Sequence, residues 1–374
     1  MKIVIIGISF CEYIILQANG LASLGHKVLL VLPSSLINST VGDAISRLVD
    51  PGVGVFACTE LRPWKLAYYS DPLRAVSSFA PDVLHIHDNG EMLTFGIITR
   101  FRHVPLALTI HDVSTHPGSD SKLKRRRKMI KTLLKWRADA IHLHSNRLYE
   151  KFKILYPEVA TKVKVIPHGA LTLFTSWENE TIDREPLTCL FFGRMEKYRG
   201  LDNLVHIGRI VKDTIPGIKI IVAGQGSELQ KYRGEMDALG IFEVHDAFIP
   251  DSKIFRYFRR ASLLLLPYNE ASQSGIVSMG LPFGLPVVAT SVGAIPEVVI
   301  DKRHGSIVPT GDMNSFAEVV RSLLSDNTRW KQMSDSCIET AEQLAFGRLA
   351  CEFAELYAQA MLRKKGFSHR GQSD

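Results

Sequence analysis

The 374-residue chain reads as an α/β protein made of two doubly wound, Rossmann-like domains facing each other across a cleft. Its length exceeds the roughly 250–300 residues at which a single hydrophobic core stops growing, so two cores are expected. Short apolar runs alternate with helical patterns along most of the chain, the signature of parallel sheets covered by helices. A polar, non-periodic stretch, Thr175-Ser-Trp-Glu-Asn-Glu-Thr-Ile-Asp-Arg-Glu-Pro186, divides those runs into two series and predicts a linker at 175–186.

The first series is Ile3 to Ile8, Lys27 to Leu32, Val53 to Cys58, Val83 to His87, Leu106 to His111, Ala140 to His144 and Val163 to Pro167. Hydrophobicity in these runs is continuous rather than alternating, which marks strands buried on both faces. Asn19-Gly-Leu-Ala-Ser-Leu-Gly25 ends a helix on a glycine stop before the second strand. The second series is Leu187 to Phe192, Ile218 to Ala223, Phe242 to Phe248, Leu263 to Pro267, Pro286 to Thr290 and Gly305 to Val308. A helix is expected at Ile276 to Phe283. From Ser315 the chain is helical, with an amphipathic segment Asn314 to Leu324, an apolar pattern from Ala341 to Leu362, and a frayed tail after Lys365. The expected domains are 1–174 and 187–345, with a helix at 346–365 packing back on the first.

Composition is that of an ordinary globular protein, 46% hydrophobic and 22% charged. No apolar run approaches the roughly 18 residues of a membrane span, and Met1-Lys2 before Ile3 to Ile6 lacks a cleavage site, so it reads as a strand. Cys11, Cys58, Cys189, Cys337 and Cys351 are odd in number, scattered and never Cys-x-x-Cys. That pattern points to a reducing cytoplasm and against disulfides and zinc.

The net charge of +7 is concentrated. Lys122, Lys124, Arg125, Arg126, Arg127, Lys128, Lys131, Lys135 and Arg137 interleave with Met129, Ile130, Leu133, Leu134 and Trp136, which at helical spacing form one stripe. Such a helix can rest on an anionic membrane through Arg125, Arg126, Arg127 and Lys128, or pack its stripe on the core with its charges solvated. Nucleic acid is not expected, since no supporting aromatic or zinc motif accompanies the charges.

In Leu190-Phe-Phe-Gly-Arg-Met-Glu-Lys-Tyr-Arg-Gly-Leu-Asp202 a strand runs into two cations, Arg194 and Arg199. Two guanidinium groups at one strand end suit a diphosphate, and solvated surface arginines are the plain alternative. Gly224-Gln-Gly-Ser-Glu-Leu229 follows a strand and opens a helix, so its backbone can approach a nucleotide or simply turn tightly. Pro267-Tyr-Asn-Glu-Ala-Ser-Gln-Ser-Gly275 crowds polar groups at a helix N-terminus, where anions are favoured.

These segments resemble the retaining nucleotide-sugar glycosyltransferases of the GT-B fold, family 4 (group 1). The likeness covers nearly the whole chain and is carried by Phe192-Gly-Arg-Met-Glu-Lys-Tyr-Arg-Gly200, Val222-Ala-Gly-Gln-Gly226, Ser272-Gln-Ser-Gly275, Gly284-Leu-Pro-Val-Val-Ala-Thr290, Val292-Gly-Ala-Ile-Pro-Glu297 and Gly305-Ser-Ile-Val-Pro-Thr-Gly-Asp312. In the first half Asp82-Val-Leu-His-Ile-His-Asp88, Leu108-Thr-Ile-His-Asp112, His116-Pro-Gly118 and Val165-Ile-Pro-His-Gly169 fit the family's strand ends.

The resemblance implies sugar transfer from a UDP, GDP or ADP sugar to a glycan or lipid-linked acceptor, in polysaccharide or glycoconjugate biosynthesis. By that likeness Arg194 and Arg199 grip the diphosphate, with arginine at the second position where the family usually has lysine. His111 matches the histidine beside the donor sugar. Gly193, Gly224, Gly226, Ile249, Glu270, Gln273, Ser274 and Gly275 would line the donor, and Gly7, Ser9, His87, Asp88 and Asn89 the acceptor side. Two departures stand out: the second family glutamate is replaced by Ser278 or Met279, as in a Gln-Ser-Gly subset, and Gly7-Ile-Ser-Phe-Cys11 lacks the family's Gly-Gly pair. No Asp-x-Asp occurs, so a metal-independent site without cofactor is expected, on a cytoplasmic protein with peripheral membrane contact. A sugar-nucleotide epimerase on this fold and a degenerate sugar-nucleotide-binding scaffold are the alternatives.

Overall fold

A computed structural model describes residues 1–59, 67–88, 90–113, 125–271 and 275–370, with the backbone alone at 67–69 and 367–370. Asn89, Gln273 and Ser274, together with Lys122, Lys124, Ser272 and His116-Pro-Gly118, lie outside the described residues. The chain forms two compact units, Met1–Gly169 with Ala345–Asp374, and Ala170–Leu344.

Unit 1 contains, among its described residues, strands β1 (Lys2–Ile6), β2 (Lys27–Pro33), β3 (Val53–Cys58), β4 (Val83–His87), β5 (Leu106–Thr109), β6 (Ala140–Leu143) and β7 (Val163–Val165). They lie in the order β3-β2-β1-β4-β5-β6-β7, with every pairing parallel. Ile3, Val4 and Ile5 are wholly buried, as expected of a central strand covered on both faces. The strand order reverses between β1 and β4, where doubly wound sheets open a crevice at the strands' carboxyl ends. Helix Cys11–Ser23 packs against the final helix Phe346–Arg370 so closely that a Cβ on Gly20 would sit 2.4 Å from the Phe346 carbonyl oxygen.

Unit 2 repeats the design with β8 (Thr188–Phe192), β9 (Lys219–Ala223), β10 (Phe242–His245), β11 (Leu263–Leu266), β12 (Val287–Thr290) and β13 (Gly305–Val308). Their order is β10-β9-β8-β11-β12-β13, again all parallel, and it reverses between β8 and β11.

Several segments differ from their sequence expectation for local reasons. The polar stretch after Trp177 is laid onto unit 2 by ion pairs from Glu178 to Arg259, Glu180 to Arg256 and Glu185 to Arg260, and by Arg184 bonding the carbonyls of Ala261 and Phe283. The units accordingly divide at Gly169 and Ala170, ahead of that stretch. The helix expected at 276–283 is a short α-helix Gly275–Gly280 that tightens into a 3₁₀ turn Leu281–Phe283 around Pro282. The apolar pattern from 341 to 362 belongs to two helices, Asn327–Gln343 and Phe346–Arg370. Among the described residues no helix is long and apolar enough to cross a membrane.

Candidate active site

Arg199 sits at the switch point of unit 2. Its Nη1 donates to the Tyr268 hydroxyl just past β11 at 2.8 Å and to the Phe192 carbonyl at the end of β8 at 3.1 Å. Its guanidinium also lies 5.3 Å from the Tyr268 ring centre and 5.8 Å from that of Tyr198. Desolvation alone would disfavour the charge, but the oxygens of Tyr268 and Tyr198 outweigh it and raise the pKa, so Arg199 is held as a cation. Arg194 is exposed beside it, with Nη2 3.4 Å from the Tyr198 hydroxyl. The Asn203 side chain ties the two strand ends further, donating to the Pro267 carbonyl at 2.9 Å.

The glycines after β9 pack closely against the loop that follows β8. Gly224 has φ +139, and a Cβ there would lie 2.0 Å from the Gly193 carbonyl oxygen; one on Gly226 would lie 2.3 Å from that of Met195. The missing side chains are filled by the neighbouring loop, which Met195 fastens by donating from its amide to the Gln225 carbonyl. Of the other expected donor residues, Glu270 is exposed and anchored through its amide to the Tyr198 carbonyl at 3.1 Å. Gly275 begins its short helix, and Ile249 is half-buried beside Phe248, which is 57% exposed.

In unit 1 the carboxyl ends of β4, β5 and β6 and the loop after β7 converge on a layer of six buried histidines: His85, His87, His111, His142, His144 and His168. Burial, followed by mutual repulsion, lowers the pKa of His111 to about 3; burial also lowers His142 and His168 to about 4. His85, His87 and His144 are pushed well below the usual imidazole range by burial and their neighbours. Both His111 nitrogens are engaged, Nε2 with His87 Nδ1 at 2.9 Å and Nδ1 with His144 Nε2 at 3.2 Å. The His111 ring face carries Phe10, stacked at 4.1 Å between centres. Phe10 adopts φ 60, ψ 45, a left-handed conformation uncommon outside glycine, and is 41% exposed. Gly7 is buried at the end of β1, Ser9 is exposed, and the Asp88 carboxylate pairs with Lys131 at 3.2 Å.

The basic helix Arg125–Arg137 divides its apolar set in two. Ile130 and Leu134 enter the core, while Met129, Leu133 and Trp136 stand 56%, 40% and 52% exposed. Their angular spread is wider than a single packed stripe, so one flank remains outside. Arg127 pairs with Glu91, Lys131 with Asp88 and Arg137 with Asp139, and Lys135 is buried over the Tyr156 ring. Arg125 and Lys128 are exposed and Arg126 half-buried.

Sequence reasoning singled out His87 and His111 but not the layer they belong to. The signal was His85-x-His87 and His142-x-His144 on apolar strands, since a period of two places both members on one face of a sheet. Gln17, Tyr13 and Tyr357, which close over the layer from two helices, left no comparable mark.

Two family descriptions divide the chain: "Glycosyltransferase Family 4" matches residues 12–171 and "Glycosyl transferases group 1" matches residues 175–344. The chain belongs to this family of group 1, family 4 glycosyltransferases, and its two parallel sheets are those of the GT-B fold. Sucrose-phosphate synthase from Thermosynechococcus elongatus superposes with a TM-score of 0.70 at 16% identity, over 96% of this chain and 98% of that one. The Anabaena protein HepE in complex with UDP-glucose gives 0.69 at 16% identity, over 96% and 99%. A D-inositol 3-phosphate glycosyltransferase of Corynebacterium aurimucosum is 26% identical over 46% of this chain, a match spanning 42% of that relative's length.

Proposed function

We propose that the protein is a retaining glycosyltransferase of the Gln-Ser-Gly subset. Unit 2 holds a nucleoside-diphosphate sugar, and unit 1 receives a glycan or lipid-linked saccharide acceptor for polysaccharide or glycoconjugate synthesis. The observation that carries this reading is the Arg199 cation fixed at the β8 and β11 ends, with exposed Arg194 beside it. Departure of the nucleotide builds negative charge on the diphosphate, and fixed guanidinium groups stabilise that charge without reorganising. The bond from the anomeric carbon to the phosphate oxygen breaks and one to the acceptor oxygen forms on the same face. The acceptor proton passes to the departing phosphate oxygen, so no enzymic nucleophile is needed. HepE, whose complex contains UDP-glucose, supports a nucleotide-sugar donor for this fold.

A membrane-facing acceptor is supported by the helix Arg125–Arg137, where Met129, Leu133 and Trp136 lie exposed with Arg125 and Lys128. An apolar strip with flanking cations suits an anionic bilayer surface. Ser278 and Met279 are both buried and neither supplies a carboxylate for ribose, which favours a non-catalytic sugar-nucleotide-binding protein as second reading. The deciding experiment is transfer from UDP-, GDP- and ADP-sugars to a saccharide panel, with the product anomer read by NMR. Arg194→Ala should lower transfer roughly ten- to 150-fold, the loss of a charge-assisted contact of about 1.5–3 kcal/mol. Unchanged turnover defeats the assignment of Arg194, and nucleotide binding without transfer to any acceptor selects the second reading.

A further inference from the structure

Five of the six histidines are joined in one hydrogen-bonded series, directly at His87, His111 and His144 and through Thr109 and Gln17 elsewhere, and one backbone carbonyl fixes its direction. His142 Nε2 lies 2.9 Å from the Ile166 carbonyl oxygen and must donate to it, leaving Nδ1 of the neutral ring bare. The Thr109 hydroxyl, 2.9 Å away, therefore donates to that Nδ1, and its oxygen accepts from His85 Nε2 at 2.7 Å. His85 Nδ1 is then bare and receives both the Tyr357 hydroxyl at 2.8 Å and the Gln17 amide nitrogen at 3.2 Å. That fixes the Gln17 amide, whose oxygen faces His87 Nε2 at 3.0 Å. His87 Nδ1 accepts from His111 Nε2, and His111 Nδ1 from His144 Nε2. The series ends on His144 Nδ1, buried without a hydrogen-bond partner among the described residues. His168 stands apart: its Nδ1 lies 2.9 Å from the Gly169 carbonyl and must donate to it, so this ring, unlike the other five, carries its proton on Nδ1.

We infer that Gln17 is a positioning residue that passes this single-sense chain from His85 to His87 and so delivers His111 uncharged, with neither nitrogen free to take or give a proton. Among the described residues no group of three His, Cys, Asp or Glu side chains is placed to hold a metal ion, and the layer is joined by its hydrogen bonds. The groups around His111 are His87, His142, His144 and His168, Tyr13 of the helix Cys11–Ser23, neighbouring Asp112, and Lys131 of the basic helix. The inference deepens the proposed function, because it assigns the ring matched to the sugar-contacting histidine the part of a fixed, neutral wall. Its test does not depend on sugar transfer.

The test is long-range proton–nitrogen correlation NMR on the full chain labelled with ¹⁵N-histidine at pH 7.5. The expected spectrum has His85, His87, His111, His142 and His144 protonated on Nε2 and His168 on Nδ1. Gln17→Leu removes the acceptor for His87 and should give mixed tautomers at His87, His111 and His144 while His85 and His142 stay as they are. Gln17→Glu keeps that acceptor and faces His85 Nδ1 with a carboxyl oxygen, so a proton sits between the two, on the carboxyl or on His85, while His87 and His111 keep their tautomers. An Nδ1-protonated ring among the five of the wild type overturns the inference, as does a His111 unaltered by Gln17→Leu. Should Gln17→Leu fail to fold, the Gln17→Glu spectrum decides, and an Nδ1-protonated His87 or His111 there overturns it. UDP-induced thermal stabilisation, measured alongside, reports separately on the donor site.

Discussion

Lowering the pH should unfold unit 1 well before carboxylates titrate. His85, His87, His111, His142, His144 and His168 are buried neutral, with pKa values depressed by burial. A ring that stays neutral in the fold but charges in the unfolded chain leaves stability intact above about pH 6.5 and withdraws it as pH falls below that value. Each such ring costs about 1.4 kcal/mol at pH 5.5 and about 2 kcal/mol at pH 5. Six together withdraw about 8 and about 12 kcal/mol, against a domain stability of about 5–15 kcal/mol. The midpoint should fall between about pH 5 and pH 6, with uptake of about six protons. Hydrogen exchange read by mass spectrometry at stepped pH follows β4, β5 and β6 separately from unit 2, which has no comparable histidine layer among its described residues. Protection of those strands persisting to pH 4, or uptake of fewer than about two protons, would refute the reasoning.

Gly224→Ala should destabilise unit 2 by about 3 kcal/mol or more, lowering its melting temperature by about 6–12 °C, because the new Cβ meets the Gly193 carbonyl. A calorimetric scan with an unchanged unit 2 transition would show that the loops simply part. Arg125→Glu combined with Lys128→Glu should weaken binding to vesicles containing phosphatidylserine at least about thirty-fold, at about 1 kcal/mol per cation. Trp136→Ala should weaken it further by removing an exposed aromatic anchor, and unchanged binding in all variants would remove the membrane from the account.

The two-sheet fold was legible because continuous apolar runs such as Ile3 to Ile6 and Leu263 to Leu266 can only be buried on both faces. Some strand ends were overrun by one to three residues, as at Phe242 to Phe248, where Ala247 and Phe248 extend the apolar pattern past Asp246 although pairing stops at His245. Arg199 was legible as a cation at a strand end. Its partners Tyr268 and the Phe192 carbonyl were not, because β8 and β11 become neighbours only through the reversal in strand order. The histidine layer escaped for the same reason, its members being contributed by strands far apart in the chain. Gly224 and Gly226 were singled out as special, yet only the fold reveals that the approaching backbone belongs to Gly193 and Met195.

The most direct measurement is calorimetric titration of UDP, GDP and ADP into the full chain and into Arg194→Ala and Arg199→Ala, with circular dichroism confirming that each variant is folded. Gripping of the diphosphate by the two guanidinium groups predicts that the best-bound nucleotide loses at least about ten-fold in affinity in each variant. Equal affinity in the wild type and in both folded variants would contradict it.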